Sequence, residues 1–136
     1  MNIKKIEQQT NKQLFGTYMR EIRESQKIPL RTLAKAINKT TTYISDIEKG
    51  NNKPPTGELL KNIINNLKIE NSPTIINKLY DLAASERNDI PDDIKKYLLN
   101  NNKTIDLLRF LNNIHDNKKC NDLISKIMEG DNNGYY

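Results

Sequence analysis

The 136-residue chain predicts an all-α protein, on three observations. Apolar residues recur at i, i+3, i+4 and i+7 in one segment after another, the stripe of an amphipathic helix. Residues that favour helix starts precede several of those segments. No stretch shows the strict alternation of a half-buried strand.

The elements follow in order. Phe15, Tyr18, Met19 and Ile22 make the first helix, and Leu30, Leu33, Ala34 and Ile37 the second. Asn38 tolerates the left-handed conformation and lets the second helix stop abruptly. Thr40 is a suitable N-cap for a third helix, whose inward face is narrow, with Ile44 and Ile47. Thr56 caps a fourth helix with the stripe Leu59, Leu60, Ile63, Ile64 and Leu67. Ser72-Pro73 reads as an N-cap followed by proline at the first helical position, opening a fifth helix with Ile76, Leu79, Tyr80 and Ala83 inward. Pro91-Asp92-Asp93 starts another helix, its carboxylates well placed in the first turn, with Ile94, Tyr97 and Leu98 along it. After a turn at Asn100 to Asn102 come two further stripes. Leu107, Leu108, Leu111 and Ile114, widened by Phe110, form one; Cys120, Leu123, Ile124, Ile127 and Met128, ended by Gly130, form the other. Asp131 to Tyr136 reads as a frayed tail.

The third helix is the informative one. Apart from Ile44 and Ile47 its residues are small or polar, notably Thr41, Thr42, Ser45, Asp46 and Lys49. A helix that buries so little must lie on the outside of its domain, with side chains short enough for close approach to another surface. A helix seated in the major groove of DNA meets that description.

Residues 30–50, LRTLAKAINKTTTYISDIEKG, resemble the helix-turn-helix of the lambda-repressor-like family, the Cro and XRE-type regulators. The matching parts are Leu33-Ala34, the run Tyr43-Ile44-Ser45-Asp46-Ile47-Glu48-Lys49-Gly50, the loop Asn51-Asn52-Lys53-Pro54-Pro55 and the amphipathic helix after it. The resemblance covers residues 15–69. Leu30 stands where many members carry a phosphate-contacting Gln, so that role is not transferred. Asn38 and Lys39 replace a common Gly and an apolar residue at the turn.

The resemblance implies a five-helix DNA-binding domain and a division of labour within it. Arg23 and Glu48 match positions that form an internal ion pair. Thr41, Thr42 and Asp46, with Ser45 nearby, occupy positions facing base edges. A threonine methyl packs on the thymine methyl, its hydroxyl donates or accepts, and an aspartate accepts from cytosine N4. Phosphate contacts fall to Arg31, Lys39 and Thr40 on one side and Lys49, Asn51, Asn52 and Lys53 on the other, aided by N–H groups of the Gly50 to Pro54 turn. Tyr43 either directs its hydroxyl to phosphate or closes the core with its ring.

Charge supports this assignment. Residues 1–69 carry a net +7 and residues 70–136 a net −2, so the half with the motif holds the positive field that phosphate attracts. The expected organisation is a leader or basic arm at 1–13 with Lys4, Lys5 and Lys12, a helix-turn-helix domain at 14–86, and a helical C-terminal region at 87–136. One recognition helix reads only a few base pairs, too few for specific control, and the family's answer is a dimer with two such helices about 34 Å apart. The C-terminal stripes therefore read as a dimerisation element: Ile94, Tyr97 and Leu98; Leu107, Leu108, Leu111 and Ile114; Leu123, Ile124 and Ile127. Packing within one chain is the competing explanation.

Other classes fare badly. His115 and Cys120 are the sole histidine and cysteine, with nothing to orient them as a catalytic pair. No zinc cluster, glycine-rich phosphate loop or HExxH is present, so neither metal, cofactor nor enzymatic activity is expected. No run of about 18 apolar residues suggests a membrane span, and the first residues lack the apolar core of a signal peptide. A single cysteine fits a reducing cytoplasm. The expectation is a homodimeric repressor that binds an operator in double-stranded DNA through the helix at residues 40–49. The alternative is a helix-turn-helix protein-interaction module, antitoxin-like or a phage-encoded inhibitor, whose C-terminal helices bind a regulatory partner protein.

Overall fold

A computed structural model describes residues 14–130; the expected basic arm and the C-terminal tail lie outside them. The described residues form eight helices and no strand. They are α1 (Phe15–Ser25), α2 (Leu30–Ala36), α3 (Thr41–Glu48), α4 (Gly57–Asn65), α5 (Pro73–Arg87), α6 (Asp92–Leu99), α7 (Asn102–Asn112) and α8 (Asn117–Glu129). The chain divides into two compact units, Met1–Lys95 and Lys96–Tyr136. The first includes residues 87–95, which the sequence had placed with the C-terminal region.

The first unit owns the core. Phe15, Tyr18, Met19 and Ile22 of α1 are fully buried, as are Ile44 of α3, Ile63 of α4 and Ile75 and Leu79 of α5. Turn chemistry sets the angles between these helices. Lys27, Asn38 and Lys68 each take positive φ after a helix of this unit, and Asn88 does so after α5. At Asn38, where φ is 56°, the Lys39 N–H reaches back to the Ala34 carbonyl at 2.8 Å and closes α2.

Two local expectations need correction. On α5 the buried stripe is Ile75, Leu79 and Ala83, while Ile76 and Tyr80 are half-buried. An i, i+4, i+8 line explains that face better than the one centred on Ile76. Thr56 is the N-cap of α4, yet its side chain makes no cap bond; the Asp92 carboxylate accepts from the Gly57 N–H at 2.6 Å instead. Asp116, by contrast, does cap α8 with its side chain, accepting from the Lys119 N–H at 3.1 Å.

The start of the fold is also held from a distance. Leu14 precedes α1 and offers no side-chain cap, and the Glu86 carboxylate near the end of α5 accepts the Phe15 N–H at 2.6 Å. An anion there answers both an unpaired N–H and the positive end of the helix.

The second unit is built differently. None of its described residues is buried. Leu98, Ile105, Leu111, Ile114 and Leu123 are half-buried, whereas Tyr97, Leu107, Leu108, Phe110, Ile124 and Ile127 are exposed. Ile94, just before the boundary, is exposed as well.

Candidate nucleic-acid interface

The arrangement of α3 follows from its sequence at about 100° per residue. Ile44, Ile47 and Glu48 fall on one side and are all buried. Thr41, Ser45, Lys49, Thr42 and Asp46 succeed one another around the other side. Thr41, Thr42 and Lys49 are exposed, and Ser45 and Asp46 half-buried. Thr40 starts the helix, its hydroxyl oxygen accepting from the Tyr43 N–H at 3.1 Å. The outer face thus presents two short threonines in the first turn.

The far end of α3 is fastened through Glu48. Arg23 of α1 donates from Nε to Glu48 Oε1 at 2.6 Å and from Nη2 to Oε2 at 3.1 Å. Its Nη1 donates to the Ile28 carbonyl at 2.8 Å. Both side chains are buried, so this fork satisfies groups that water cannot reach. One ion pair therefore joins α3, α1 and the turn before α2.

The loop that follows is ordered by α3 itself. The Asp46 carbonyl accepts from the Asn51 N–H at 2.8 Å and from the Asn52 N–H at 3.2 Å. The Gly50 N–H donates to the Ile47 carbonyl. The expectation that this turn turns its N–H groups toward phosphate thus fails at Gly50, Asn51 and Asn52, because these donors complete the C-terminus of α3. The side chains of Asn51, Asn52 and Lys53 remain exposed. The Asn51 side-chain amide approaches the Asp46 carboxylate at 3.5 Å, a long contact that leaves the carboxylate available to another donor.

Arg31 and Lys39 are exposed beside the start of the motif. The Lys39 ammonium lies 5.4 Å from the centre of the Tyr43 ring. Of the two alternatives for Tyr43, the structure bears on the packing one: its ring is half-buried against the core, and burial pushes its phenol above the usual range, with the charge of Arg87 acting in the opposite direction. The hydroxyl is therefore a protonated donor at neutral pH.

Two residues that the sequence did not mark shape this face. Gly16 of α1 is buried with its Cα against the Ile47 carbonyl. Arg87 at the end of α5 donates from Nε and Nη2 to the Pro54 carbonyl, the Nε bond being 2.7 Å. Neither carries a local signal, since each meets residues more than 30 positions away.

Other candidates stay apart. His115 is exposed and Cys120 half-buried in the second unit. Among the described residues no group of His, Cys, Asp or Glu is arranged to hold a metal ion, and no helix is long and apolar enough to cross a membrane.

No curated protein and no solved structure matches the chain. Residues 19–70, from α1 to just beyond α4, match the model of the helix-turn-helix family. With α2 and α3 set at a left-handed turn and α3 offering a polar outer face, residues 19–70 are similar to the DNA-binding helix-turn-helix of the Cro/C1, XRE-like family.

Proposed function

We propose that this protein is a sequence-specific regulator that inserts α3 into the major groove of double-stranded DNA and represses by occluding a promoter. The observation that carries this reading is the outer face of α3: short, exposed Thr41 and Thr42 on a helix fixed by Ile44, Ile47 and the Arg23–Glu48 pair. Thr41, Thr42, Ser45 and Asp46 contact base edges. Arg31, Lys39, Thr40, Tyr43, Lys49, Asn51, Asn52 and Lys53 contact the phosphates on either side. Rigid placement matters because each bidentate or methyl contact discriminates by only about 1–3 kcal/mol and is lost with small displacements.

The test is titration of duplex DNA at several salt concentrations. The protein binds random duplex weakly with a steep salt slope, and DNA from upstream of its own gene more tightly. Lys53→Ala reduces that slope by about 1 and leaves sequence preference unaltered. An unchanged slope for Lys53→Ala removes that lysine from the interface.

The eight residues of α3 span about 12 Å, or three to four base-pair steps at about 3.4 Å each. A genomic operator needs more, and a second copy supplies it. The second unit supports this assignment, because it exposes Leu107, Leu108, Ile124 and Ile127 while none of its described residues is buried. Leu108→Asp combined with Ile127→Asp is expected to yield monomers in analytical ultracentrifugation and to weaken operator binding at least about 100-fold through lost bivalency. A double variant that remains dimeric places the interface elsewhere. The same exposed residues favour one second reading, in which a regulatory protein rather than a second copy covers them. A wild-type chain that sediments as a monomer would select it.

A further inference from the structure

We infer that Arg87 is an additional phosphate-contacting residue, carried to the DNA face from outside the helix-turn-helix segment and aimed by its fork onto the Pro54 carbonyl. This rests on the DNA-binding reading above. Arg87 is the last residue of α5, seventeen positions beyond the matched segment, and it is exposed. Its Nε and Nη2 both donate to the carbonyl of Pro54, the residue directly after Lys53 in the loop assigned to phosphate.

The chemistry favours an anion at this place. A guanidinium has five N–H groups, and two of them hold Pro54, which leaves three for a ligand. Among the described residues, Pro54 is the one hydrogen-bond acceptor that Arg87 has. The fork also removes the usual entropic cost of an arginine contact, because the side chain is held before DNA arrives. Arg87 lies within electrostatic reach of Tyr43, whose phenol its charge draws downward against the effect of burial. Arg87 would then add a fixed cation to the phosphate donors assigned to Lys39, Tyr43 and Lys53.

The neighbouring acids hydrogen-bond elsewhere, although Asp89 still feels the charge of Arg87. Asp89 is held by Lys95 at 2.9 Å and by the Ile90 N–H at 2.8 Å. Asp92 accepts the Gly57 N–H at 2.6 Å, and Glu86 accepts the Phe15 N–H at 2.6 Å. Each carboxylate thus has a structural donor and none of them hydrogen-bonds Arg87, so the three free N–H groups of the guanidinium stay open to a ligand. Pro54 and Pro55 are buried, so the loop cannot swing its carbonyl away to free Arg87 for another role.

The experiment measures random-duplex binding by fluorescence anisotropy against salt for the full chain, with a thermal melt of each variant. Arg87→Ala and Arg87→Gln are each expected to lower the salt slope by about 1, while Arg87→Lys retains it. Lys68→Ala, beyond the C-terminal end of α4, serves as the control for net charge and leaves the slope unchanged. If Arg87→Ala does not fold, Arg87→Gln provides the same comparison. A wild-type slope in either neutral variant overturns the proposal and leaves Arg87 as a strut, whatever the melting temperature does. An equal loss in Lys68→Ala overturns it too, since overall charge would then suffice. Absence of salt-dependent binding by the unmodified chain refutes the DNA-binding reading itself, a different result from either.

Discussion

Glu48→Ala is expected to destabilise the first unit by about 3–5 kcal/mol, because it strands a buried guanidinium. Arg23 keeps its bond to the Ile28 carbonyl, and Glu24 at 3.7 Å, itself half in solvent, is a poor substitute for a forked carboxylate. At about 4 °C per kcal/mol for a domain of this size, the melting temperature falls by about 12 °C or more. The penalty comes from the unpaired charge rather than from the worth of the pair. Replacing both partners by apolar residues of similar volume, Arg23→Met with Glu48→Leu, should therefore recover much of the loss. DNA affinity falls together with stability in Glu48→Ala, since the pair fastens the end of α3, and the double variant separates the two effects. Thermal melts followed by circular dichroism check both. An unchanged melting curve for Glu48→Ala would show that the pair is not the fastening described here.

Much of this architecture is legible in the amino-acid sequence, and the boundary of legibility is physical. The stop after α2, the cap at Thr40 and the inward Ile44 and Ile47 depend on residues within one or two turns of one another, so their spacing declares them. On α5 the same logic misleads by one position. Ile75 and Ile76 both belong to plausible stripes, and only the surface against which α5 packs selects Ile75. The contacts of Glu86 with Phe15, Arg87 with Pro54 and Asp92 with Gly57 span 71, 33 and 35 positions. No periodicity encodes such pairs. Asp92 shows how a local explanation can be incomplete: it lies in the first turn of α6, where a carboxylate is favoured anyway, yet its oxygen serves the start of α4. The second unit is the reverse case, with stripes plain in the sequence and none of its described residues buried. A stripe reveals that a face needs covering, and its partner is written elsewhere.

Gly16→Ala should be the other severe substitution, although alanine is ordinarily the better helix former. A Cβ at this position would lie 2.0 Å from the Ile47 carbonyl oxygen and 3.0 Å from its carbon. Even a close carbon–oxygen contact needs about 3.3 Å, so α1 and α3 must separate by more than about 1 Å. Both obstructing groups are backbone, and no side-chain rotation relieves them. Overpacking of side chains costs about 1–3 kcal/mol, and a clash that displaces whole helices belongs at or above the top of that range. The helical preference of alanine returns at most about 1 kcal/mol, and less in the first turn, where residue 16 sits. The expected result is a melting temperature lower by about 8 °C or more. Thr17→Ala, the exposed neighbour, stays within about 0.5 kcal/mol of wild type. The strain falls on Ile47 and Glu48, the residues that bury and fasten the end of α3, so DNA binding weakens even at temperatures where the variant is folded. If Gly16→Ala melts at or above the wild-type temperature, α1 does not rest on α3 as closely as its backbone contact implies.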